Sequence, residues 1–431
     1  MTVTAFLPAK GLSKRVPGKN MRLFNGEPLF VYTLKKLLKN PCIDEVYLDS
    51  EDDEILEIGE QLGSKLIKRK PELASNDTDG HELFVNEIEQ VPHADIYIQA
   101  LCTSPFVTQN TVCKAIDLLK NTNGYDSVVV GDYKRQYTWD EGMPAYGNGR
   151  IPNSDDLPAT QVEAMSLYVI NGKTAREKKR RFGYYPYFMQ VSPIELIDVN
   201  TEEDLTLAET VAKGMLYNDV VYLNMLKTRL NSSVLADTCE ELNVGGVVDI
   251  PFTGNIPGRK LFGRARTLEV VKKDEPGRSI YEALESYQTV AFNDVLVIKH
   301  ECDGLAYFGE LNSRLAIRAG AQGAIISGKT RDTQSVTQLG FPVYALGQTC
   351  RDVKHAAMVG SINKPVYMGG ELIRPSDLIF ADDDGVVVIP YEHEDQVIEL
   401  ALHNMSKEDR ITADISQKVS TSKLLQTHGM F

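Results

Sequence analysis

Short apolar runs alternate with amphipathic segments along the first half of the chain. The apolar runs predict strands at Val3–Leu7, Asp44–Leu48, Ala94–Ala100 and Ser127–Val130. Apolar residues at helical spacing predict helices at Leu29–Leu38, Asp52–Leu62 and Asn110–Leu119. Such an alternation is typical of an α/β fold with a mostly parallel sheet, which binds its ligand at the carboxyl ends of the strands.

The pattern changes after about residue 218, where valine-rich runs are separated by glycines. These runs predict short strands at Gly245–Ile250, Thr289–Lys299, Gly323–Ser327, Pro342–Ala345, Leu378–Ala381 and Gly385–Pro390. Leu311–Ala319 has the spacing of a helix, and Lys213-Gly214 is a stop signal for a helix that begins near Thr201. We therefore predict two α/β domains, at residues 1–213 and 214–431.

The composition argues against several classes of protein. The formal charge of −14 argues against a general nucleic-acid binder, whose binding surface is basic, so no DNA partner is expected. No signal-peptide core opens the sequence and no apolar run approaches the length of a membrane span. We expect a cytoplasmic protein without membrane contact. The cysteines form no C-x-x-C pair, which favours reduced thiols over a disulfide framework or a zinc site; they are Cys42, Cys102, Cys113, Cys239, Cys302 and Cys350.

A basic loop follows the first predicted strand. Residues 7–20, LPAKGLSKRVPGKN, carry four cations among glycines and a serine, namely Lys10, Lys14, Arg15 and Lys19 with Gly11, Ser13 and Gly18. Backbone N–H groups and ammonium groups in such a loop suit a polyanion such as a nucleotide phosphate. The glycine spacing does not match a Walker A loop. A solvated basic turn is the alternative.

This loop resembles the opening signature of the CMP-sialic acid synthetase (acylneuraminate cytidylyltransferase) family. Three later segments agree with that family in order: RKPELA at 69–74, CTSP at 102–105 and IDVNTEEDL at 197–205. The resemblance covers about residues 1–213. It implies a Rossmann-like nucleotidyltransferase domain that transfers CMP from CTP to a 2-keto-3-deoxy sugar acid and releases pyrophosphate.

The resemblance also implies roles for individual residues. The CTP-binding residues would be Lys10, Gly11, Ser13, Lys14, Lys19, Asn20 and Arg69. Lys19 would also act in catalysis, and Asp198 would be the principal ligand of Mg²⁺ or Mn²⁺. Three positions depart from the family: Lys10 replaces an arginine, Asn200 replaces a second aspartate, and Leu101 replaces a glutamine that contacts the sugar.

Simpler interpretations of these residues remain open. Asp198 and the acids after it could be first-turn helix residues favoured by the helix dipole. Arg69 could be a surface charge. Cys102 is expected to be buried packing and not a nucleophile, because no histidine lies near it in the sequence.

The second half contains one informative segment, GELNSRLAIRAGAQGAIISGKTRD at residues 309–332. A helix that starts after Gly309 would present N–H groups to a carboxylate ligand. Arg331 could bind a carboxylate through two hydrogen bonds, and Asp332 with Glu310 could hold a divalent cation. The alternative is an Arg-Asp ion pair on the surface.

Glu310, twenty intervening residues and then Arg331-Asp332 resemble the signature of the RraA-like family over about residues 220–400. That family includes 4-hydroxy-4-methyl-2-oxoglutarate aldolases, which also decarboxylate oxaloacetate, and the regulator of ribonuclease activity A. The resemblance implies an α/β domain of the swivelling β/β/α type. It also implies a magnesium-dependent reaction of a pyruvate-like oxo acid, with Asp332 and Glu310 at the metal, Arg331 and Glu310 in catalysis, and a substrate contacted by Gly309, Glu310, Leu311, Asn312 and Arg331.

Three hypotheses follow. The chain is a bifunctional enzyme, with CTP, a 2-keto sugar acid and a pyruvate-like oxo acid as small-molecule partners. Alternatively, the RraA-like half is a binding or oligomerising module without catalysis. A third possibility is that the first half activates something other than a sugar acid, as the changes at positions 10, 101 and 200 would allow. The family resemblances imply a homo-oligomer.

Overall fold

A computed structural model describes residues 1–431 except for 14, 76, 122–123, 148, 274–278 and 430–431. The chain forms two compact units, residues 1–212 and 213–431. Within the described residues, no helix combines the length and the apolar character needed to cross a membrane.

The first unit contains a seven-stranded sheet in the order β11-β7-β10-β6-β1-β4-β5. The strands of the whole unit, including two separate pairs (β2 with β3 and β8 with β9), are β1 (Val3–Pro8), β2 (Leu23–Phe24), β3 (Glu27–Pro28), β4 (Glu45–Ser50), β5 (Lys65–Lys68), β6 (Ile96–Ala100), β7 (Ser127–Lys134), β8 (Trp139–Asp140), β9 (Met143–Pro144), β10 (Thr160–Asn171) and β11 (Pro186–Gln190). Its helices are α1 (Leu29–Leu38), α2 (Asp53–Gln61), α3 (Gly80–Gln90), α4 (Gln109–Asn121) and α5 (Gly172–Lys178). Strand β10 is antiparallel to both of its neighbours, and the other pairings in this sheet are parallel.

Alternation along the central strands buries both faces of this sheet. On β6, Ile96, Ile98 and Ala100 pack into one core with residues of α1 and α4. Tyr97 points to the opposite face and packs with Phe84 and Ile88 of α3. Because β1 and β6 are parallel neighbours, with Phe6 opposite Gln99, the loops that follow them leave the same edge of the sheet.

The second unit contains a nine-stranded sheet in the order β12-β24-β23-β14-β15-β17-β19-β13, with β20 paired to β14. The strands of the whole unit, including two separate pairs (β16 with β18 and β21 with β22), are β12 (Gly246–Val247), β13 (Thr253–Gly254), β14 (Leu261–Lys272), β15 (Val295–His300), β16 (Ala306–Phe308), β17 (Gly323–Ile326), β18 (Lys329–Thr330), β19 (Val343–Ala345), β20 (Ala357–Ile362), β21 (Val366–Met368), β22 (Glu371–Ile373), β23 (Leu378–Ala381) and β24 (Val386–Ile389). Its helices are α7 (Ser232–Leu242), α8 (Glu310–Ala319), α9 (Thr333–Gln338), α10 (Glu394–Ser416) and α11 (Thr421–His428).

The predicted helix stop at Lys213-Gly214 is wrong. Helix α6 runs without a break from Glu202 to Arg229, so it begins in the first unit and ends in the second. A glycine inside a helix costs only about 1 kcal/mol relative to alanine. Leu223 and Leu226 beyond it are buried in the core of the second unit, and this burial outweighs the cost.

The expectation of reduced cysteines is wrong for one pair. Cys42, after α1, and Cys113, in α4, form a disulfide although 71 positions separate them. The fold brings their Cα atoms to 5.7 Å, which is within the usual range for a disulfide. Cys102, Cys239 and Cys302 are buried free thiols, and Cys350 is exposed.

Candidate functional site

The basic loop after β1 is fixed by Asn20. This residue is buried, and its amide nitrogen donates to the Lys10 carbonyl at 2.8 Å. Its amide oxygen accepts from the Cys102 thiol at 3.2 Å. Cys102 is buried, as expected, and burial raises its pKa to about 11, which favours the protonated thiol. Asn20 therefore ties the loop to the CTSP segment after β6.

The backbone of Val199, in the IDVNTEEDL segment, joins the same loop to the CTSP segment. The Lys19 ammonium group donates to the Val199 carbonyl at 2.6 Å. The Val199 N–H donates to the Thr103 carbonyl at 2.8 Å. We call this arrangement the Val199 junction. It brings together residues that are up to 180 positions apart in the sequence.

Asp198 lies beside the Val199 junction, and one of its carboxylate oxygens has no hydrogen-bond partner. Its Oδ2 accepts from the Asn200 side-chain amide at 2.6 Å, whereas its Oδ1 is buried without a hydrogen-bond partner. The helix-capping role belongs to Asp204, whose Oδ2 accepts from the Asn200 and Thr201 N–H groups. These backbone hydrogen bonds hold the pKa of Asp204 below its usual value. The first-turn interpretation thus fits Asp204 and not Asp198.

Lys19 is a cation on which the charges of both carboxylates act. Burial lowers its pKa, and the charges of Asp198 and Asp204 act against that shift. An ammonium group among carboxylates and away from bulk water exerts a stronger field than one in solvent. The arrangement suits a group on which negative charge develops during a reaction.

Arg69 is buried, so its interpretation as a surface charge is wrong. Its guanidinium group donates to both carboxylate oxygens of Asp49 and to the Asp49 carbonyl, at 2.9–3.2 Å. Glu51 lies 3.7 Å from Arg69 Nη1 and also accepts the Gly11 N–H at 2.8 Å. Arg69 therefore supports the basic loop through Glu51. Its predicted contact with CTP stays a prediction.

Sequence reasoning missed the acids around Arg69. Asp49 and Glu87 are fully buried, and the Gln99 amide donates to Glu87 at 2.5 Å. Burial raises the pKa of Glu87 well above its usual range, and the neighbouring charge of Asp49 adds to the shift. Asp49 was a detectable signal, because it directly follows the apolar run of residues 46–48 in β4.

The loop residues predicted to bind CTP are partly accounted for. Lys10, Gly11 and Ser13 are half-buried on the loop, and Lys14 lies outside the described residues. No cluster of three or more His, Cys, Asp or Glu side chains suited to a metal occurs in the described part of the chain. Asp198 alone, with its buried unpartnered oxygen, fits a Mg²⁺ ion that takes one carboxylate and completes its shell with substrate phosphates and water.

In the second unit, the residues around Gly309 form a separate site. A Cβ atom on Gly309 would lie 2.6 Å from Asp332 Oδ2 and 2.9 Å from Arg331 Cγ, so only glycine leaves room for these side chains. The Glu310 N–H donates to Asp332 Oδ2 at 3.3 Å. Asp332 adopts a left-handed backbone conformation, with φ of 52°, as residues at functional turns often do. Glu310, Arg331 and Asp332 are therefore close together.

The side chains of this second site have partners that the sequence did not predict. Glu310 accepts from Arg314 at 2.8–2.9 Å, and this contact holds the pKa of Glu310 below its usual value. Arg331 Nη1 lies 2.5 Å from Asp352 Oδ2. The predicted pairing of Glu310 with Asp332 thus runs through the Glu310 backbone, and Asp352 is a site residue that sequence reasoning missed.

Two residues that are predicted to contact the substrate differ in whether their side chains are already engaged in the structure. Leu311 is 75% exposed and has its side chain available to a ligand. The Asn312 amide nitrogen donates to the Tyr307 carbonyl at 2.8 Å, which fixes the start of α8. The roles of both residues in substrate binding stay predictions.

Comparison with known proteins divides the chain in the same way. The profile of the cytidylyltransferase family matches residues 4–141, and the profile of the Aldolase/RraA family matches residues 235–388. A pseudaminic acid cytidylyltransferase of Campylobacter jejuni is 32% identical over 223 residues, which is 48% of this chain and 94% of that protein.

A further relative is named for a different reaction. A protein of Halalkalibacterium halodurans, provisionally named 4-hydroxy-4-methyl-2-oxoglutarate aldolase, is 33% identical over 164 residues, which is 37% of this chain and 74% of that protein. The protein DlpA of Legionella pneumophila is 27% identical over 188 residues. These cover 43% of this chain, which spans only 30% of the length of DlpA.

Proposed function

The chain belongs to the cytidylyltransferase family over residues 4–141 and to the Aldolase/RraA family over residues 235–388, and from this we propose that it is a bifunctional enzyme. The first half transfers CMP from CTP to a 2-keto-3-deoxy sugar acid of the sialic or pseudaminic acid type and releases pyrophosphate. The second half breaks or forms a carbon–carbon bond of a 2-oxo acid.

The observation that carries the first activity is the Val199 junction. It assembles the basic loop, the CTSP segment and Asp198 at one edge of a parallel sheet, where α/β proteins bind their ligands. Lysines from the loop and a carboxylate with a spare oxygen are the parts that a nucleotide triphosphate and its metal require.

The transfer step follows from this arrangement. The anomeric oxygen of the sugar acid forms a bond to the α-phosphorus of CTP, and the bond from that phosphorus to pyrophosphate breaks. Lys19, which donates to the Val199 carbonyl, neutralises charge that grows on the departing pyrophosphate. Mg²⁺ or Mn²⁺, held by Asp198, supplies further stabilisation of phosphate charge when it is bound.

The test of the first activity is pyrophosphate release from CTP, MgCl₂ and a panel of sialic-type and pseudaminic-type acids. We expect Asp198→Asn to lower kcat at least about 100-fold, since the site has no second carboxylate at position 200. Glu203→Gln is the matched control, because Glu203 is exposed in the first turn of α6 and undergoes the same change of charge. Absence of pyrophosphate with every acid would refute the proposal.

In the second half, Arg331 binds the carboxylate of the oxo acid, and Asp332 with Glu310 lies at the metal. Support comes from their closeness around Gly309. Release of pyruvate from oxaloacetate tests this activity, with Arg331→Ala expected to abolish it. Arg318→Ala is the control, because Arg318 is exposed at the far end of α8.

A non-catalytic second half is the competing proposal, and one observation favours it. Glu310 is paired with Arg314, and Arg331 is paired with both Asp352 and Asp332, so all three signature side chains already have charged partners. Under this proposal, neither wild-type chain nor Arg331→Ala produces pyruvate, while pyrophosphate release is unaffected.

The two proposed activities have a chemical connection. Aldol addition of pyruvate to an aldehyde produces a 2-keto-3-deoxy acid, which is the class of acid that the first half would activate. We therefore place both halves in one route to an activated sugar acid. Incubation of the chain with pyruvate, a sugar aldehyde, CTP and MgCl₂ would then produce the CMP adduct, detectable by its mass.

A further inference from the structure

Arg181 is a buried cation that neither proposed reaction explains so far. It lies between α5 and β11 in the first unit and is 6% exposed. Its Nε is buried without a hydrogen-bond partner, and no carboxylate among the described residues forms an ion pair with its guanidinium group. A buried guanidinium group without an acid is unfavourable unless something else supplies the negative charge.

The surroundings of Arg181 are shaped to receive its side chain. Its Cζ lies 5.0 Å from the centre of the Tyr168 ring. A Cβ atom on Gly80, the first residue of α3, would lie 2.0 Å from the same Cζ, so the absence of a side chain at Gly80 makes room for the guanidinium group. The Arg181 N–H donates to His81 Nδ1 at 3.3 Å, which fixes the backbone.

The two carboxylates that influence this region are engaged elsewhere. Asp79 caps α3, where its Oδ1 accepts from the His81 and Glu82 N–H groups at 2.7 and 2.9 Å. Glu163 accepts from the Tyr168 hydroxyl. Neither carboxylate reaches Arg181 as an ion pair. The guanidinium group therefore retains a charge that a ligand could complement.

Arg181 contacts the strand that leads to the nucleotide site. Tyr168, on β10, lies opposite Gln99 of β6, and the Ser166 carbonyl accepts from the Leu101 N–H at 2.9 Å. The pairing of β10 is irregular between Glu163 and Tyr168, and the Ser166 hydroxyl there is buried without a partner. This irregular segment lies at the carboxyl end of β6, where the CTSP segment begins.

We propose that Arg181 binds the carboxylate of the sugar-acid substrate, an inference that rests on the proposed function of the first half. The reaction has two anionic reactants. The triphosphate has the basic loop and Asp198, whereas the acid has no assigned cation. A planar guanidinium group matches a carboxylate through two parallel hydrogen bonds. The Leu101 side chain has no hydrogen-bonding group, so recognition of the acid has to come from another residue.

This role makes Arg181 a source of specificity. A neutral sugar would leave the buried guanidinium group without a counter-charge, and a site with an unpaired buried charge rejects such a ligand strongly. The wild-type chain should therefore prefer the free acid over its amide, which has nearly the same shape and no charge.

The first test is steady-state pyrophosphate release by Arg181→Met. We expect the KM for the sugar acid to rise at least about tenfold, while the KM for CTP changes less than about twofold. Arg180→Met is the matched control, because Arg180 is the adjacent arginine and is exposed. Preference for pseudaminic acid over its amide should fall in Arg181→Met and persist in Arg180→Met.

A second variant tests Arg181 without changing its charge. Gly80→Ala places a methyl group where the guanidinium group lies, so it should raise the KM for the acid in the same direction. This variant and Arg181→Lys keep the test decisive if Arg181→Met fails to fold, as judged by its circular dichroism. Unchanged KM values for the acid in the folded variants would overturn the role of Arg181 and leave the proposed transfer reaction intact.

A direct measurement of acid binding distinguishes the role of Arg181 from the proposed transfer reaction. Titration calorimetry with pseudaminic acid, in the absence of CTP, measures acid binding whether or not turnover occurs. Binding by wild-type chain that is lost in Arg181→Met supports the assignment even if no pyrophosphate is released. Equal binding by both, or no binding by the wild-type chain, overturns it.

Discussion

Arg69, Asp49 and Glu87 form a buried network behind the basic loop, with one guanidinium group shared among several acids. Burial raises the pKa of Asp49, and its hydrogen bonds from Arg69 to both carboxylate oxygens act against that shift. Burial raises the pKa of Glu87 well above its usual range, and its neighbours are Gln99 and Asp49, so we expect Glu87 to hold the proton. Glu51 then extends the network from Arg69 to Gly11. The basic loop is thus linked through Glu51 to a buried network of charged side chains.

Glu87→Gln should remove a pH dependence of stability. The folded-state pKa of Glu87 is raised by burial, so its contribution to stability is complete below the unfolded value of 4.5 and is lost as the pH rises toward the folded value. Across that window the wild-type free energy of unfolding should fall by up to about 1.4 kcal/mol per pH unit from this group. Urea unfolding at a series of pH values measures the slope.

The control for Glu87→Gln is Glu89→Gln, on the exposed side of the same helix. It should keep the wild-type slope. Equal slopes in wild-type chain and Glu87→Gln would show that Glu87 does not hold the proton.

Gly309→Ala should disable the second site by displacing Asp332 and Arg331. The added Cβ would approach Asp332 Oδ2 to 2.6 Å, well inside van der Waals contact. We expect pyruvate release to fall at least about tenfold, and pyrophosphate release to change by less than about twofold. Gly385→Ala, where a Cβ meets nothing within 4 Å, is the matched control in the same unit. An active Gly309→Ala chain would argue against this geometry.

The positions of the candidate residues were partly predictable. Lys19, Asn20 and Asp198 lie in contiguous motifs that the sequence shows directly, and their roles stay predictions. The partners Asp49, Glu51 and Asp352 lie far from those motifs in sequence and meet them only through sheet pairing. Arg69 was identified, but its burial depends on the same long-range pairing and could not be derived from its neighbours. Cys42 and Cys113 were missed for the same reason.

At the scale of elements, the helices and short buried strands with clear periodicity were predicted well. The prediction of α1 as Leu29–Leu38 is confirmed with both of its ends, and Leu378–Ala381 is confirmed as β23. Helix α3 was not predicted, since few of its residues are apolar. Its capping box of Asp79 and Glu82 was the available signal. Periodicity is local, whereas the end of α6 depended on burial against the second core.

Gly214→Ala tests the continuity of α6. The residue lies inside the helix, and an added Cβ meets nothing within 4 Å. We expect the free energy of unfolding to rise by about 1 kcal/mol, because alanine has the higher helix propensity. Gly59→Ala provides the contrast in α2, where a Cβ would lie 2.3 Å from Leu48 Cδ2 and should destabilise the chain. Chemical denaturation followed by circular dichroism measures both changes. A destabilised Gly214→Ala chain would contradict an uninterrupted helix.

At the scale of the whole molecule, the family membership of both halves and their α/β fold class are confirmed. Each unit has its own sheet and its own buried cores, and each candidate site takes all of its residues from one unit. The two candidate sites therefore share no residue.

The two activities should consequently be separable by single substitutions. Asp198→Asn should abolish pyrophosphate release and leave pyruvate release within about twofold of the wild-type rate. Arg331→Ala should do the reverse. Paired assays on the same preparations, with circular dichroism to confirm folding, measure both rates. Loss of both activities in either variant would mean that the halves depend on each other.

The Val199 junction has a consequence for how this chain can vary through evolution. Both of its hydrogen bonds use the peptide group of Val199, and the side chain only fills a buried space. Many apolar residues of similar size can therefore occupy position 199, but proline cannot, because it has no N–H to donate. A position that links three segments of the candidate site is thus one at which residue identity carries little information, and a search for invariant side chains would pass over it.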